Sequence, residues 1–207
     1  FWARVLKDRE LGLGEAYQDG WWDAERMDEF LVKVFTADLR SAVRPSPALL
    51  WNMARARFSN RQTTGRAAQN ASAHYDIGND LYIRMLGEEM IYSCAVWDGV
   101  VDLAAAQEAK LDLICRKLHL EPGMRVLDIG CGWGGFARHA ASRYGAHVVG
   151  ISPAGEQVSE ARQRAGDLSV EFYQQDYRDV TGTYDRIVSI GMFEHVGPRN
   201  YPRFFDR

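Results

Sequence analysis

The sequence predicts an α/β fold with a parallel sheet, preceded by a small, mainly helical domain. Three observations carry this expectation. Residues 125–135, RVLDIGCGWGG, read as a buried strand that runs into a glycine turn and opens a helix. Short apolar runs then alternate with helical segments, the pattern of a parallel sheet. Ahead of them, Phe30 and Val34, with Leu31 and Phe35 on the adjoining strip, recur at helical spacing and predict the core of a small helical domain.

The first strand, Arg125–Ile129, is entered through the Pro122-Gly123 turn, and its Val, Leu and Ile fit a strand covered on both faces. Asp128 is the exception. A carboxylate so near the end of such a strand needs a partner, and open α/β sheets bind ligands in the crevice beyond the carboxyl ends of their strands. Gly130, Gly132 and Gly134 let the backbone approach whatever lies there. Further strands are expected at 147–151, 169–173 and 184–190, with helices at 134–144 and 155–165 between them. Gly130, Gly132 and Gly135 also match the G-x-G-x-x-G of dinucleotide sites. Such a site wants an acid at the tip of the following strand for the ribose, and here that tip carries Ser152 and Pro153 instead.

Composition excludes other classes. With 46% hydrophobic residues and a formal charge of −3, the chain suits a globular protein, and the acidic balance with no recognisable nucleic-acid module argues against a nucleic-acid partner. No apolar run approaches the roughly 18 residues of a membrane span, and no signal peptide opens the chain, so a cytoplasmic location is expected. Cys94, Cys115 and Cys131 show no metal spacing and read as reduced thiols, so no metal is expected. From Leu39 through Tyr75 there is no Asp or Glu, while Arg40, Arg44, Arg55, Arg57, Arg61 and Arg66 make the segment basic. It reads either as a solvated helix face with a linker or as a surface for anionic lipid headgroups. Of the adjacent Trp21 and Trp22, only one can point inward; the other packs on the second domain or sits at a membrane interface.

Beyond the glycine turn, three blocks are more restrictive: HYDIGNDLYIRML at 74–86, IYSCAVW at 91–97 and SIGMFEHVGPRNY at 189–201. Together with LGLGEAYQDGWW at 11–22, in this order and spacing, they resemble the cyclopropane-fatty-acyl-phospholipid synthases, a family that includes the mycolic acid cyclopropane synthases. The resemblance implies a Rossmann-like S-adenosylmethionine-dependent methyltransferase sheet, with domains at 1–70 (helical, with the basic linker, for lipid docking) and 71–207 (cofactor binding). Only four strands are legible, Phe1 and 201–207 both fall within helix-like stretches, and the chain reads as a fragment whose fourth strand would leave an open, self-associating edge.

For the cofactor, the resemblance carries over Tyr92 and Ser93; the turn Val126, Leu127, Asp128, Ile129, Gly130, Cys131, Gly132, Trp133 and Gly134; the segment Ser152, Pro153, Ala154, Gly155, Glu156 and Gln157; and Asp176 with Tyr177. Asp128 then answers to the methionine ammonium, Gln157 to the ribose hydroxyls and Asp176 to the adenine amine. Pro153 departs from the family's usual leucine or isoleucine and alters a backbone donor.

The implied reaction moves a methylene group from S-adenosylmethionine onto the cis double bond of an unsaturated phospholipid acyl chain at the membrane surface. A carbocation forms and loses a proton to bound bicarbonate as the cyclopropane closes. The resemblance assigns the bicarbonate pocket to Cys94 and Glu194, with no metal, and places the enzyme peripherally on the inner face of the membrane. Without it, Glu194 reads as a helix cap, His195 as a core histidine and Cys94 as a small buried hydrophobe. The motif order also fits a relative that methylates an acyl chain or small molecule without closing a ring, or a chain that only binds cofactor, and a homodimer is left open. The 74–76 block, His-Tyr-Asp, reads as a proton relay or as part of a lid in which Asp76 and Asn79 cap turns and Gly78 bends.

Overall fold

A computed structural model describes residues 1–37, 51 and 78–206. The chain divides into two compact units, Phe1–Ser59 and Asn60–Arg207. The basic segment 39–75, apart from Trp51, and the 74–76 block lie outside the described residues.

In the first unit, α1 (Trp2–Gln18) is followed by α2 (Met27–Thr36). Both tryptophans lie in the connection between these helices, and they separate as expected. Trp22 stacks near Tyr17 and Phe30, with ring centroids at 5.0 and 4.6 Å, and its indole N–H donates to the Leu13 carbonyl at 2.9 Å. Trp21 stays 53% exposed, with the Arg4 guanidinium over its ring at 5.0 Å. The predicted core is corrected here: α2 has no buried residue, and Phe35 is 66% exposed. Helical spacing puts apolar residues on a stripe, but a stripe is buried only where another element covers it.

The second unit contains α3 (Asn79–Leu86) and α4 (Leu103–Lys117), then β1 (Arg125–Ile129), α5 (Gly135–Tyr144), β2 (His147–Ser152), α6 (Gly155–Arg164), β3 (Val170–Gln174), β4 (Arg186–Val188) and α7 (Tyr201–Phe205). The strands form one parallel sheet in the order β3-β2-β1-β4. The helices α5 and α6 serve as the crossovers that parallel neighbours require. Alternation along the strands divides the core. Val126, Val148, Phe172 and Val188 pack with Leu111 and Cys115 of α4, Phe136 and Ala140 of α5, and Val158 and Ala161 of α6. On the opposite face, Leu127, Ile129, Val149 and Ile151 meet Tyr177, Val180, Tyr184, Met192 and Phe204.

The fourth strand is shorter than the predicted 184–190. At its start the Asp185 carboxylate accepts from the Arg125 N–H at 2.7 Å; past its end the Ser189 hydroxyl donates to the Ile129 carbonyl at 2.9 Å. The Asp185 N–H also donates to the Arg125 carbonyl at 2.8 Å, and β4 pairs with β1 over residues 186–188.

Phe172 of β3 is packed closely by two glycines. A Cβ on Gly150 would lie 2.6 Å from Phe172 Cδ1, and one on Gly134 (φ +81) would lie 2.6 Å from Phe172 Cζ. Gly150→Ala should therefore destabilise the domain by about 1–3 kcal/mol through overpacking. In urea unfolding, adding Phe172→Leu to Gly150→Ala should recover part of that loss, whereas Gly134→Ala with Phe172→Leu should stay destabilised because its left-handed backbone remains strained.

Candidate active site

The carboxyl ends of the strands open into a pocket of about 400 Å³, the size of a small-molecule site. Asp128, Ile129, Gly130, Cys131, Gly132 and Trp133 form its floor, Ser152, Pro153 and Gln157 one side, and Asp176 and Tyr177 another. Tyr92 and Ser93 line it as well. Val126, Leu127, Gly134, Ala154, Gly155 and Glu156 do not. Val126 and Leu127 point into the two faces of the core, Gly134 lies under Phe172, and Ala154 is buried at the start of α6, so these residues support the wall. Glu156 is exposed on α6.

The glycine turn is fastened to the neighbouring strand. The N–H groups of Gly130 and Cys131 both donate to the Ile151 carbonyl, at 2.9 and 3.0 Å. Gly130 has φ +84, and a Cβ there would lie 2.7 Å from Met192 Cβ. Gly132 has φ +54 and would meet no protein atom within 4 Å, so backbone conformation alone demands glycine there.

Asp128 lies beneath this turn, 2% exposed, and its Oδ2 has no hydrogen-bond partner among the described residues. Burial pushes its carboxyl up to about 7. A native carboxylate so isolated invites a cation. Burial, with the Asp128 charge adding to it, also drives the Cys131 thiol well above its ordinary range, which leaves it an unreactive wall residue at neutral pH.

The other predicted contacts are more committed than their sequence shows. Gln157 Oε1 accepts from the Ser152 hydroxyl at 3.0 Å, leaving the amide nitrogen to serve a ligand. Asp176 is engaged by Arg178, whose backbone N–H and Nε both donate to Oδ1, at 2.9 and 2.7 Å, and whose Nη2 donates to Oδ2. Burial alone would raise the Asp176 carboxyl, but the bonds from Arg178 outweigh it and hold the group below its ordinary value. Asn79 is corrected from a turn cap to a cross-link at the start of α3: its Oδ1 accepts from the Trp133 indole at 2.8 Å, and Tyr82 packs on that indole at 4.7 Å. Gly78 does bend the chain, with φ +102.

Cys94 and Glu194 flank the pocket without lining it. Cys94 is exposed and follows Ser93 directly; Glu194 is exposed on the short turn Phe193–His195, next to His195, which lines the pocket. The readings of Cys94 as a buried hydrophobe and His195 as a core residue do not hold, since both are exposed.

Lys110 is a lining residue that the sequence reading missed. It is 7% exposed on α4, its Nζ donates to Ser93 Oγ at 2.8 Å, and Gln107 Nε2 on the same helix donates to the Ser93 carbonyl at 3.0 Å. Burial lowers the Lys110 ammonium to about 8, with the neighbouring Cys94 opposing the shift. The available signal was a lysine within the buried stripe of Ala106, Gln107, Leu111 and Cys115.

Residues 62–207 match the family described as mycolic acid cyclopropane synthetase. The chain belongs to the mycolic acid cyclopropane synthetase family. It is 50% identical over 205 residues to the cyclopropane-fatty-acyl-phospholipid synthase of Escherichia coli (strain K12), covering 99% of this chain and 54% of that protein. A probable fatty acid methyltransferase of Pseudomonas putida is 46% identical over 142 residues, covering 64% of this chain and 36% of that protein. Among solved structures, the mycolic acid cyclopropane synthase CmaA1 complexed with SAH and CTAB superposes with a TM-score of 0.64 at 37% identity, over 67% of this chain and 50% of that one. The chain thus spans about half the length of its cyclopropane synthase relatives. The family's methyltransferase sheet is the α/β architecture observed here.

Asp128 gives this member of the family a pH signature. Its folded carboxyl titrates near 7, above its ordinary value, so between about pH 4 and 7 the unfolded chain binds fewer protons than the folded one. Stability should fall as pH rises through that window, by up to about 4 kcal/mol from this group. Urea unfolding at pH 4.5 and pH 8 should show the fall in the wild type and a much smaller one in Asp128→Asn.

Proposed function

We propose that this chain is the cofactor-binding part of an enzyme that converts the cis double bond of an unsaturated phospholipid acyl chain into a cyclopropane, using S-adenosylmethionine. The observation that carries this reading is the isolated Asp128 carboxylate beneath a glycine turn at the carboxyl edge of a parallel sheet. S-adenosylmethionine, when bound, supplies an electrophilic methyl carbon. The residues present fit it: Asp128 would hold the amino group, Gln157 Nε2 would reach the ribose hydroxyls, and Asp176, already oriented by Arg178, retains carboxylate lone pairs for the adenine amine.

An alkene is a weak nucleophile, and the cation it forms must be kept from water. Met90, Ile91, Leu111, Phe136, Ile190 and Met192 supply an apolar wall, which would keep water from such a cation. Cys94 and Glu194, on the two segments that flank the pocket, are assigned to bicarbonate. Glu194 would accept a hydrogen bond from the anion's own O–H, which offsets the repulsion between two negative groups, and the Cys94 thiol would donate. Bicarbonate, when bound, supplies the base for the last proton.

A lipid substrate calls for reversible docking. Trp2, Leu11, Trp21 and Phe35 are exposed on the first unit, and no helix of the described residues is long and apolar enough to cross a membrane. We assign this surface, with the basic segment 39–75, to peripheral contact with anionic lipid on the inner face of the membrane.

The intact protein, incubated with S-adenosylmethionine, bicarbonate and vesicles of a cis-unsaturated phospholipid, should add one CH2 to the acyl chain with loss of the alkene by lipid mass spectrometry. The same gain with the alkene retained would assign the methyl-transferring alternative that the Pseudomonas putida relative's name represents. Glu194→Gln should lower turnover by about 100-fold or more and raise the bicarbonate concentration needed. Cys94→Ser should slow the reaction without abolishing it; a dead Cys94→Ser enzyme would argue for a covalent role.

A further inference from the structure

Two opposite charges line the same pocket, and neither neutralises the other. Asp128 is buried with an unpartnered oxygen, and Lys110 is buried with no carboxylate within ion-pair distance among the described residues. A buried charge without a counter-charge is costly, and two of opposite sign that remain apart leave room for a ligand that carries both. Lys110 gives one of its three donors to Ser93 Oγ. That hydroxyl, having accepted from Lys110, is free to donate its own proton. An ammonium and a hydroxyl side by side make a carboxylate site.

We infer that Lys110, with Ser93, holds the carboxylate of the cofactor's amino-acid end while Asp128 holds its ammonium, so that the pocket selects a nucleoside bearing an intact zwitterion. This rests on the S-adenosylmethionine reading and deepens it. Bicarbonate is the competing anion for Lys110, since Cys94 lies close enough to affect the lysine's charge. The lining decides between them: Lys110, Ser93 and Asp128 face one pocket, and Cys94 and Glu194 do not line it. The ammonium titrating near 8 is consistent with a cation held at neutral pH until an anion arrives.

The test is titration calorimetry of the intact protein with S-adenosylhomocysteine and with its decarboxylated analogue, which keeps the amine and lacks the carboxylate. Lys110→Met should weaken S-adenosylhomocysteine by about 10- to 100-fold, the span of a charged hydrogen bond. It should leave the decarboxylated analogue within about 2-fold. Asp128→Asn should weaken both ligands, since both carry the ammonium. Equal weakening of both ligands by Lys110→Met would overturn the proposal and reduce Lys110 to a residue that positions the 91–93 segment. An unchanged affinity for S-adenosylhomocysteine with a raised bicarbonate requirement would overturn it in favour of bicarbonate. If Lys110→Met does not fold, Lys110→Gln and wild type titrated above and below pH 8 give the same comparison. A wild type that binds neither nucleoside would refute the cofactor reading itself, a result separable from all of these.

Discussion

Placing a carboxylate on a central strand of a parallel sheet removes it from water, and most of the site's geometry is arranged around that cost. Asp128 shares a face of β1 with Val126, and that face is roofed by α4, α5 and α6. Lys110 of α4 lines the same pocket, but among the described residues no ion pair joins it to Asp128, whose Oδ2 has no hydrogen-bond partner. Its local surroundings are the glycine turn and the neighbouring thiol of Cys131, neither of which can neutralise it. The domain therefore holds a destabilised group at the place where the strands end and a ligand can enter. Such a local loss of stability is common at functional sites.

The same economy of space governs the packing behind the site. Phe172 fills the volume over β2 that Gly150 and Gly134 leave open, and this lets the turn approach the sheet closely enough for the Gly130 and Cys131 amides to reach the Ile151 carbonyl. Gly135 plays a similar part on the other side, where a Cβ would come within 2.9 Å of the Glu89 carbonyl and Ile91. The 89–93 segment can then lie against the start of α5, clamped by the Arg138–Glu89 ion pair at 2.7 Å, and deliver Tyr92 and Ser93 to the pocket. The wall of the site is thus made of backbone brought close by glycine, with side chains from distant segments set upon it.

Membership of the family and the shared sheet connect this architecture to enzymes named for cyclopropane formation. What distinguishes the pocket physically is its mixture of an apolar wall with a few isolated polar groups. Asp176 is held by Arg178 and Gln157 by Ser152, so these side chains are oriented before any ligand arrives. Asp128 and Lys110, by contrast, have no counter-charge among the described residues.

The strand, the glycine turn and the helix of 125–144 were legible in the sequence because their signals are local: apolar runs mark a buried strand, and glycine at positions 130, 132 and 134 marks a backbone that must take positive φ. The isolation of Asp128 was legible for the same reason, since a carboxylate in an apolar run is conspicuous by itself. Burial of the α2 stripe was not, because spacing shows which residues share a face but not whether anything covers it. The ends of β4 meet β1 through Asp185 and Ser189, whose partners Arg125 and Ile129 lie about sixty residues away in sequence. The link from Asn79 to Trp133 and the arrival of Lys110 at Ser93 likewise needed the tertiary structure, whereas Asp176 meets Arg178 within a local turn. Local periodicity determined which segments form strands and helices; only the packing of α3 and α4 against the carboxyl edge of the sheet decided which polar groups meet there, because such meetings join residues whose separation along the chain carries no signal.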